Sequence, residues 1–329
     1  MWLTYSIIFV LLVIAELVYF RVADRCNIVD KPNERSSHNK VVLRGGGIIY
    51  VLGVWLYAAF FGVELWPFLL GITLIAGISF VDDIHSLPDS VRLVVQFIAM
   101  GLMFYCWEIL NWESWWIIIL GLILCVGIIN AYNFMDGING INGGYTLALL
   151  LPLAWLNHKL AFVDQNLIIV ALLADLVFCF FNFRPKGKAK CFAGDVGSVG
   201  AAFIVLFVLG KLIMTTGDFT YIVFLAVYGV DSILTIVHRI ILHENLGEAH
   251  RKHAYQLMAN ELKMDHTVVS ALYTLLQLAI AAGMILIPNT IGWHWGYFIG
   301  VCVVLGIAYI LFKIKYYHLH KEYLKSLEK

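Results

Sequence analysis

Asp82-Asp83, Asp195 and the Asn133–Asp136–Asn139 series are the residues of this chain best suited to holding a metal ion, and His238-Arg239 and His250-Arg251-Lys252-His253 those best suited to holding phosphate. Two adjacent carboxylates at the end of an apolar run repel each other and lose hydration, so they need a cation, a donor or a proton. Arg92, nine residues past Asp83, can pair with them or hold an anion. In NAYNFMDGINGING (130–143), Asn133, Asp136 and Asn139 recur every third residue, and a continuing helix would carry them as a stripe on one face. Their oxygens suit a hard cation such as Mg²⁺, and Gly137 and Gly140 let the backbone turn close to a ligand. CFAGDVGS (191–198) puts Asp195, two glycines and Ser198 where a helix begins, and free N–H groups there favour phosphate. Singly, each cluster also has a plain reading: a wet helix end, a polar turn, a cap, a solvated basic face. Together, carboxylates and amides for a metal with arginines and histidines for anions describe phosphoryl transfer, which needs mostly positioning and charge neutralisation.

These clusters sit between apolar runs. The 329 residues are 61% hydrophobic and 13% charged, with a mean hydropathy of +0.86, which places the chain among integral membrane proteins. The pattern predicts an all-α, polytopic protein with spans near 2–20, 45–63, 65–81, 91–110, 115–132, 143–157, 166–183, 196–214, 219–241, 267–287 and 294–312. The first run has no basic segment before it and no small-residue cleavage site after it, so it reads as a retained helix.

If those spans alternate sides, every Lys and Arg except Lys159 and Lys211 falls on one side. Basic residues are kept in the cytoplasm, so the N-terminus is expected outside, and the C-terminus and all the polar clusters inside. The cytoplasmic segments are 21–44, 82–91, 133–142, 184–195 and 238–266, with a tail at 313–329. Cysteines placed at Ser36 or Ala189 should therefore be shielded from outside, and one at Ser114 open to it. One domain, 1–329, is expected, with 238–266 a partly helical loop. The six cysteines lack C-x-x-C spacing and read as core residues, forming neither a disulfide framework nor a zinc site.

From Asp30 to Gln256 the chain resembles the polyprenyl-phosphate N-acetylhexosamine-1-phosphate transferases, a glycosyltransferase family related to phospho-MurNAc-pentapeptide transferase. The likeness rests on five ordered motifs, DKPNERSSHNKVVLRGGG, DDIHSLPDSVR, NAYNFMDGINGING, FAGDVGS and HRKHAYQ. It implies ten or eleven transmembrane helices around a cytoplasmic cleft. It also implies a reaction in which undecaprenyl phosphate attacks the β-phosphorus of a UDP-activated amino sugar, giving a lipid-linked diphosphosugar and UMP and initiating O-antigen- or capsule-like assembly at the inner membrane.

Carried over by motif, Asp195 is implied as principal Mg²⁺ ligand (Mn²⁺ a substitute), Asn133 as a second, and Asp82, Asp83 and Asp195 as the catalytic carboxylates. Phe192 is implied to stack the uracil, with Gly137 and Asn139 lining its pocket and Asp136 binding substrate. Arg44, Arg92, Arg251 and His253 are implied to hold phosphates. The bilayer and both substrates are the expected partners; nucleic acid is not, and a homodimer is left open. Direct attack and a covalent aspartyl intermediate use the same residues.

Two departures bear on the sugar. Asn139 stands where many bacterial members carry Asp, and the basic motif reads His253-Ala254-Tyr255-Gln256 in place of His-x-His-His. The latter resembles members that use N-acetylfucosamine or N-acetylquinovosamine donors, against UDP-GlcNAc. A proton-relaying transporter is the rival of another class, with Asp175 and Asp231 as its deep candidates; another lipid phosphotransferase, the CDP-alcohol type, would need a D-G…A-R signature absent here.

Overall fold

A computed structural model describes residues 1–32, 37, 40–111, 113, 115–248, 250–288 and 290–327. Ser36 and Ser114, named above, lie outside them, as do Arg35 and Lys329 among the basic residues counted in the topology argument. The described chain is almost wholly helical: α1 (Trp2–Arg25), α2 (Ile49–Phe61), α3 (Trp66–Ile84), α4 (Asp89–Cys106), α5 (Trp115–Phe134), α6 (Ile141–Leu160), α7 (Gln165–Asn182), α8 (Gly194–Thr216), α9 (Ala226–Ile241), α10 (Ala254–Asn260), α11 (His266–Leu286) and α12 (Ile291–Leu327). Apart from α10, each falls on one of the apolar runs.

Seven of these helices, and α9 together with the 3-10 turn Phe219–Leu225 before it, are long and apolar enough to cross a membrane, which makes this a multi-pass membrane protein. The shorter apolar segments Gly46–Phe61 and Ser90–Cys106 fall on the second and fourth runs. The remaining run is α6, which carries Asn142, Asn157, His158, Lys159 and an internal Pro152. The 238–266 segment is partly helical, as its composition suggests, through α10. All six cysteines are free thiols.

α8 is the central post. Its most apolar window is 89% buried, against 22% for α1 and 11% for α12, so the other helices shield it from lipid. Aromatic stacking locks it to α3, with the Phe68 ring centroid 4.1 Å from that of Phe207. Its first turn meets Gly47 backbone to backbone: a Cβ on Gly47 would lie 2.2 Å from the Gly197 Cα, so only glycine fits that crossing.

The non-helical backbone gathers at one end. Strands β1 (Val29–Asp30) and β2 (Val42–Leu43) form a small antiparallel hairpin, and Leu43 also bridges to Cys191. Phe192 N–H donates to the Leu43 carbonyl at 2.8 Å, and Gly46 N–H to the Phe192 carbonyl at 2.9 Å. Asn182 ties two more loops together, accepting from Gly140 N–H at 2.7 Å and donating to the Cys191 carbonyl at 2.9 Å. Ser37, in the 31–41 segment, accepts a bond from Asn260 of α10 at 3.0 Å. Irregular backbone of this kind is tolerated where protein or a water-filled cavity satisfies its polar groups.

Candidate active site

Asp83, at the end of α3, is held by three donors. Arg44 Nε lies 2.6 Å from its carboxylate, and the backbone N–H groups of Asp195 and Val196 donate to it at 2.9 and 3.1 Å. The start of α8, which the sequence suggests as a phosphate seat, is thus capped by the protein's own carboxylate. An anion at a helix N-terminus is favourable whatever its source, and Asp83 provides one. Asp82 accepts from Leu87 N–H at 2.7 Å and pairs with Arg92 Nη1 at 2.9 Å. The paired aspartates do face cations, a different one each.

Asp195 lies between the two arginines, 3.2 Å from Arg44 Nη2 and 3.8 Å from Arg92 Nη2. Burial works against the Arg44 charge, but the carboxylates of Asp83 and Asp195 outweigh it and raise its pKa. Asn133, in the last turn of α5, accepts a hydrogen bond from Ser198 Oγ at 3.0 Å, which sets its amide beside the first turn of α8.

The expected stripe does not form. α5 ends at Phe134 and α6 starts at Ile141, with Gly140 in the left-handed region at φ +83°. The turn between them folds Asn139 inward to 2% exposure. Its side-chain NH₂ donates to the carbonyls of Arg184 and Pro185 at 2.9 and 3.0 Å, and its backbone carbonyl accepts from Ser270 Oγ at 2.8 Å. Gly137 lies against Tyr255, whose hydroxyl bonds the Phe134 carbonyl. Asp136 is pushed up to about 8 by burial and by the carboxylates of Asp195 and Asp83.

These residues enclose a polar cavity of about 210 Å³, lined by Arg44, Asn133, Asp136, Gly137, Asn139, Phe192 and Asp195 from among the predicted residues. Asp30, Ser37 and Gln256, from the first and last of the five motifs, also line it, as do Asn182 and His266, which lie outside the motifs. A second cavity of about 500 Å³ mixes apolar Leu93, Phe134 and Leu246 with Arg92, Arg239, His250 and His253. Arg92 lines this second cavity and reaches Asp195 in the first, so the two adjoin at that pair.

The basic motif divides. His253 caps α10 in a capping box with Gln256, and its Nδ1 lies 3.3 Å from Asp231, which also accepts Ala254 N–H at 3.0 Å. Asp231 therefore anchors the motif, while Asp175 is bonded to Tyr50 at 2.5 Å; both deep aspartates have tethering partners. Arg251 lines neither cavity. It pairs with Glu261 at 2.9 Å and lies over the Tyr323 ring, and Glu261 also meets His320 at 2.9 Å. Burial would raise the Glu261 pKa, but these bonds lower it, so the carboxylate stays charged and fastens the motif to α12.

As a metal site the cavity fits a hard cation in part. Asp195, Asp136 and Asn133 supply oxygen only, yet among the described residues no three His, Cys, Asp or Glu side chains are grouped to hold an ion. Mg²⁺ is commonly held by one or two carboxylates together with substrate phosphates and water, and this donor set matches that pattern.

Residues 65–213 match the model of the family described as glycosyl transferase family 4. The chain is 26% identical over 266 residues to a probable undecaprenyl-phosphate N-acetylglucosaminyl 1-phosphate transferase of Bacillus subtilis (strain 168), covering 73% of this chain and 72% of that protein. It is 24% identical over 208 residues to the undecaprenyl-phosphate alpha-N-acetylglucosaminyl 1-phosphate transferase of Yersinia pestis, covering 57% of this chain and 56% of the relative. Against the phospho-N-acetylmuramoyl-pentapeptide-transferase of Thermotoga neapolitana, identity is 33% over 124 residues, 37% of this chain and 38% of the relative.

Proposed function

The chain belongs to glycosyl transferase family 4, and from that premise we propose that it transfers an N-acetylated amino-sugar 1-phosphate from a UDP-sugar to undecaprenyl phosphate, releasing UMP. The observation that carries this reading is the pair of adjoining cavities. One is polar and lined by carboxylates, amides and Phe192; the other is amphipathic and basic, and they meet at Arg92 and Asp195. A nucleotide sugar suits the first and a lipid phosphate the second.

In this reading Phe192 stacks the uracil and Asn139 contacts its edge. Arg44 and Arg92, now paired with carboxylates, turn to phosphate oxygens when substrate arrives. Asp195, Asn133 and Asp136 would hold Mg²⁺, which would neutralise the diphosphate and so stabilise charge in the transition state. A phosphate monoester is largely ionised at neutral pH, its second pKa being about 6, so the acceptor needs little help from a base.

Direct attack by the lipid phosphate is favoured over an aspartyl intermediate. The Asp83 carboxylate is engaged by two backbone N–H groups and Arg44, and Asp82 by Leu87 N–H and Arg92, which leaves each a poor nucleophile. The site would face the cytoplasm, where the basic residues concentrate and where UDP-sugars are made. The donor would be an amino sugar of the N-acetylfucosamine, N-acetylquinovosamine or GlcNAc type, and the product would start a surface polysaccharide such as O-antigen.

Incubating membranes that hold the protein with undecaprenyl phosphate and a panel of UDP-sugars tests the reading. Transfer from an N-acetylated donor, lost in Arg92→Gln, is the expected result; no transfer from any UDP-amino sugar would refute it.

A further inference from the structure

The first residue of α11, His266, is buried to 1% exposure and lines the polar cavity beside Asn139. Neither the spacing of the motifs nor their chemistry singles it out. The helix start that carries it is fixed: Asp265 caps α11, accepting Thr267 N–H at 2.9 Å, and Lys186 N–H reaches the other Asp265 oxygen at 3.4 Å. Ser270, one turn on, holds the Asn139 carbonyl. The Asn139 backbone N–H in turn donates to His266 Nδ1 at 3.3 Å.

That last bond assigns the tautomer. A ring nitrogen that accepts from a backbone N–H carries no proton, so the neutral imidazole bears its proton on Nε2 and acts there as a donor. The Asn139 amide is assigned in the same way. Its two N–H groups go to the carbonyls of Arg184 and Pro185, so what the side chain has left to offer is an oxygen acceptor. The two neighbours thus present one acceptor and one donor.

Resting on the uridine-nucleotide reading above, we propose that Asn139 and His266 together read the pyrimidine edge and select uracil over cytosine. Uracil offers a donor at N3–H flanked by carbonyl acceptors, which complements an amide oxygen beside an imidazole N–H. Cytosine offers an unprotonated N3 and an exocyclic amine, so acceptor would face acceptor and donor would face donor. A site built to hydrogen-bond a group discriminates strongly against an analogue that leaves its polar atoms unpaired.

The test is competition of UMP and CMP for the purified full-length protein, with UMP affinity read for parent, His266→Phe and His266→Gln. The parent should prefer UMP by tenfold or more. His266→Phe should weaken UMP about tenfold with little change in CMP, so that the preference collapses, and His266→Gln, which keeps an N–H donor, should recover part of it. A purely packing role would weaken both nucleotides alike and leave the ratio unchanged, and that result overturns the proposal. If His266→Phe does not fold, His266→Asn decides, since it can keep an acceptor for the Asn139 N–H while losing the donor at Nε2: a UMP-to-CMP ratio equal to the parent's refutes base reading. Failure of the parent to bind any uridine nucleotide would instead refute the uridine reading itself.

Discussion

The carboxylate of Asp83 caps the helix that begins with Asp195: it accepts the N–H groups of Asp195 and Val196 at 2.9 and 3.1 Å while Arg44 Nε approaches to 2.6 Å. One aspartate thereby sets the position of another across 112 residues of sequence. The pair has divided labour, with Asp83 buried in support and Asp195 at the cavity, and this division separates two outcomes. Asp83→Ala strands two N–H groups and leaves Arg44 with Asp195, so it should lower stability by about 1–3 kcal/mol, the range for unpaired buried polar groups. Asp195→Asn should shift the melting temperature less, while reducing transfer by about 10²-fold or more. Thermal melting of both variants in detergent, alongside activity, checks the contrast; a stable Asp83→Ala would contradict it.

The crossing of α8 over Gly47 makes a sharp prediction about two neighbouring glycines. A Cβ at Gly197 would lie 2.5 Å from the Gly47 Cα, whereas one at Gly200 meets Val51 at an ordinary 3.7 Å. Gly197→Ala should destabilise by about 1–3 kcal/mol through overpacking. Gly200→Ala should be neutral or mildly stabilising, since alanine favours helix by about 1 kcal/mol. Equal melting temperatures would show that the crossing can relax.

His250, at the wall of the second cavity, is lowered to about 3 by burial and by the neighbouring His253, Arg239 and Lys252. The unfolded chain takes up this proton near pH 6.5, while the folded protein resists it until about pH 3. Between those values the unfolded state binds more protons, so acidification destabilises the fold. The parent should therefore lose melting temperature between pH 7 and 4.5, and His250→Gln should lose less. An identical fall in both would show that other groups set the acid limit.

Orientation can be read with an impermeant thiol reagent in intact cells, in a Cys26→Ser background because Cys26 is exposed. A cysteine replacing Ala189, in the loop that leads into the cavity, should stay unlabelled, and one replacing Glu113 should react. The reverse pattern would invert the topology.

Much of the architecture was legible because lipid leaves the chain little choice: apolar runs of spanning length became helices, and the polar interruptions had to gather where backbone could be satisfied. That several of the polar clusters would meet around one cavity was legible from their chemistry and order. What they touch was not. The Asp83 cap on α8, the Asp231 anchor of His253 and the turn that buries Asn139 depend on partners far apart in sequence, and no local spacing encodes them. Arg251, a cation that its motif implies for the site, is found fastening that motif to α12 through Glu261 and Tyr323. His266 escaped notice because a lone histidine at a helix start carries no signal until Asn139 is seen beside it.

The identity of the leaving nucleotide tests the central claim most directly. With a UDP-amino sugar labelled at the β-phosphorus and undecaprenyl phosphate as acceptor, transfer of sugar 1-phosphate predicts that the label enters the lipid fraction and that UMP appears in equal amount. Label remaining in released UDP, with unlabelled sugar on the lipid, would mean simple glycosyl transfer and would contradict the account.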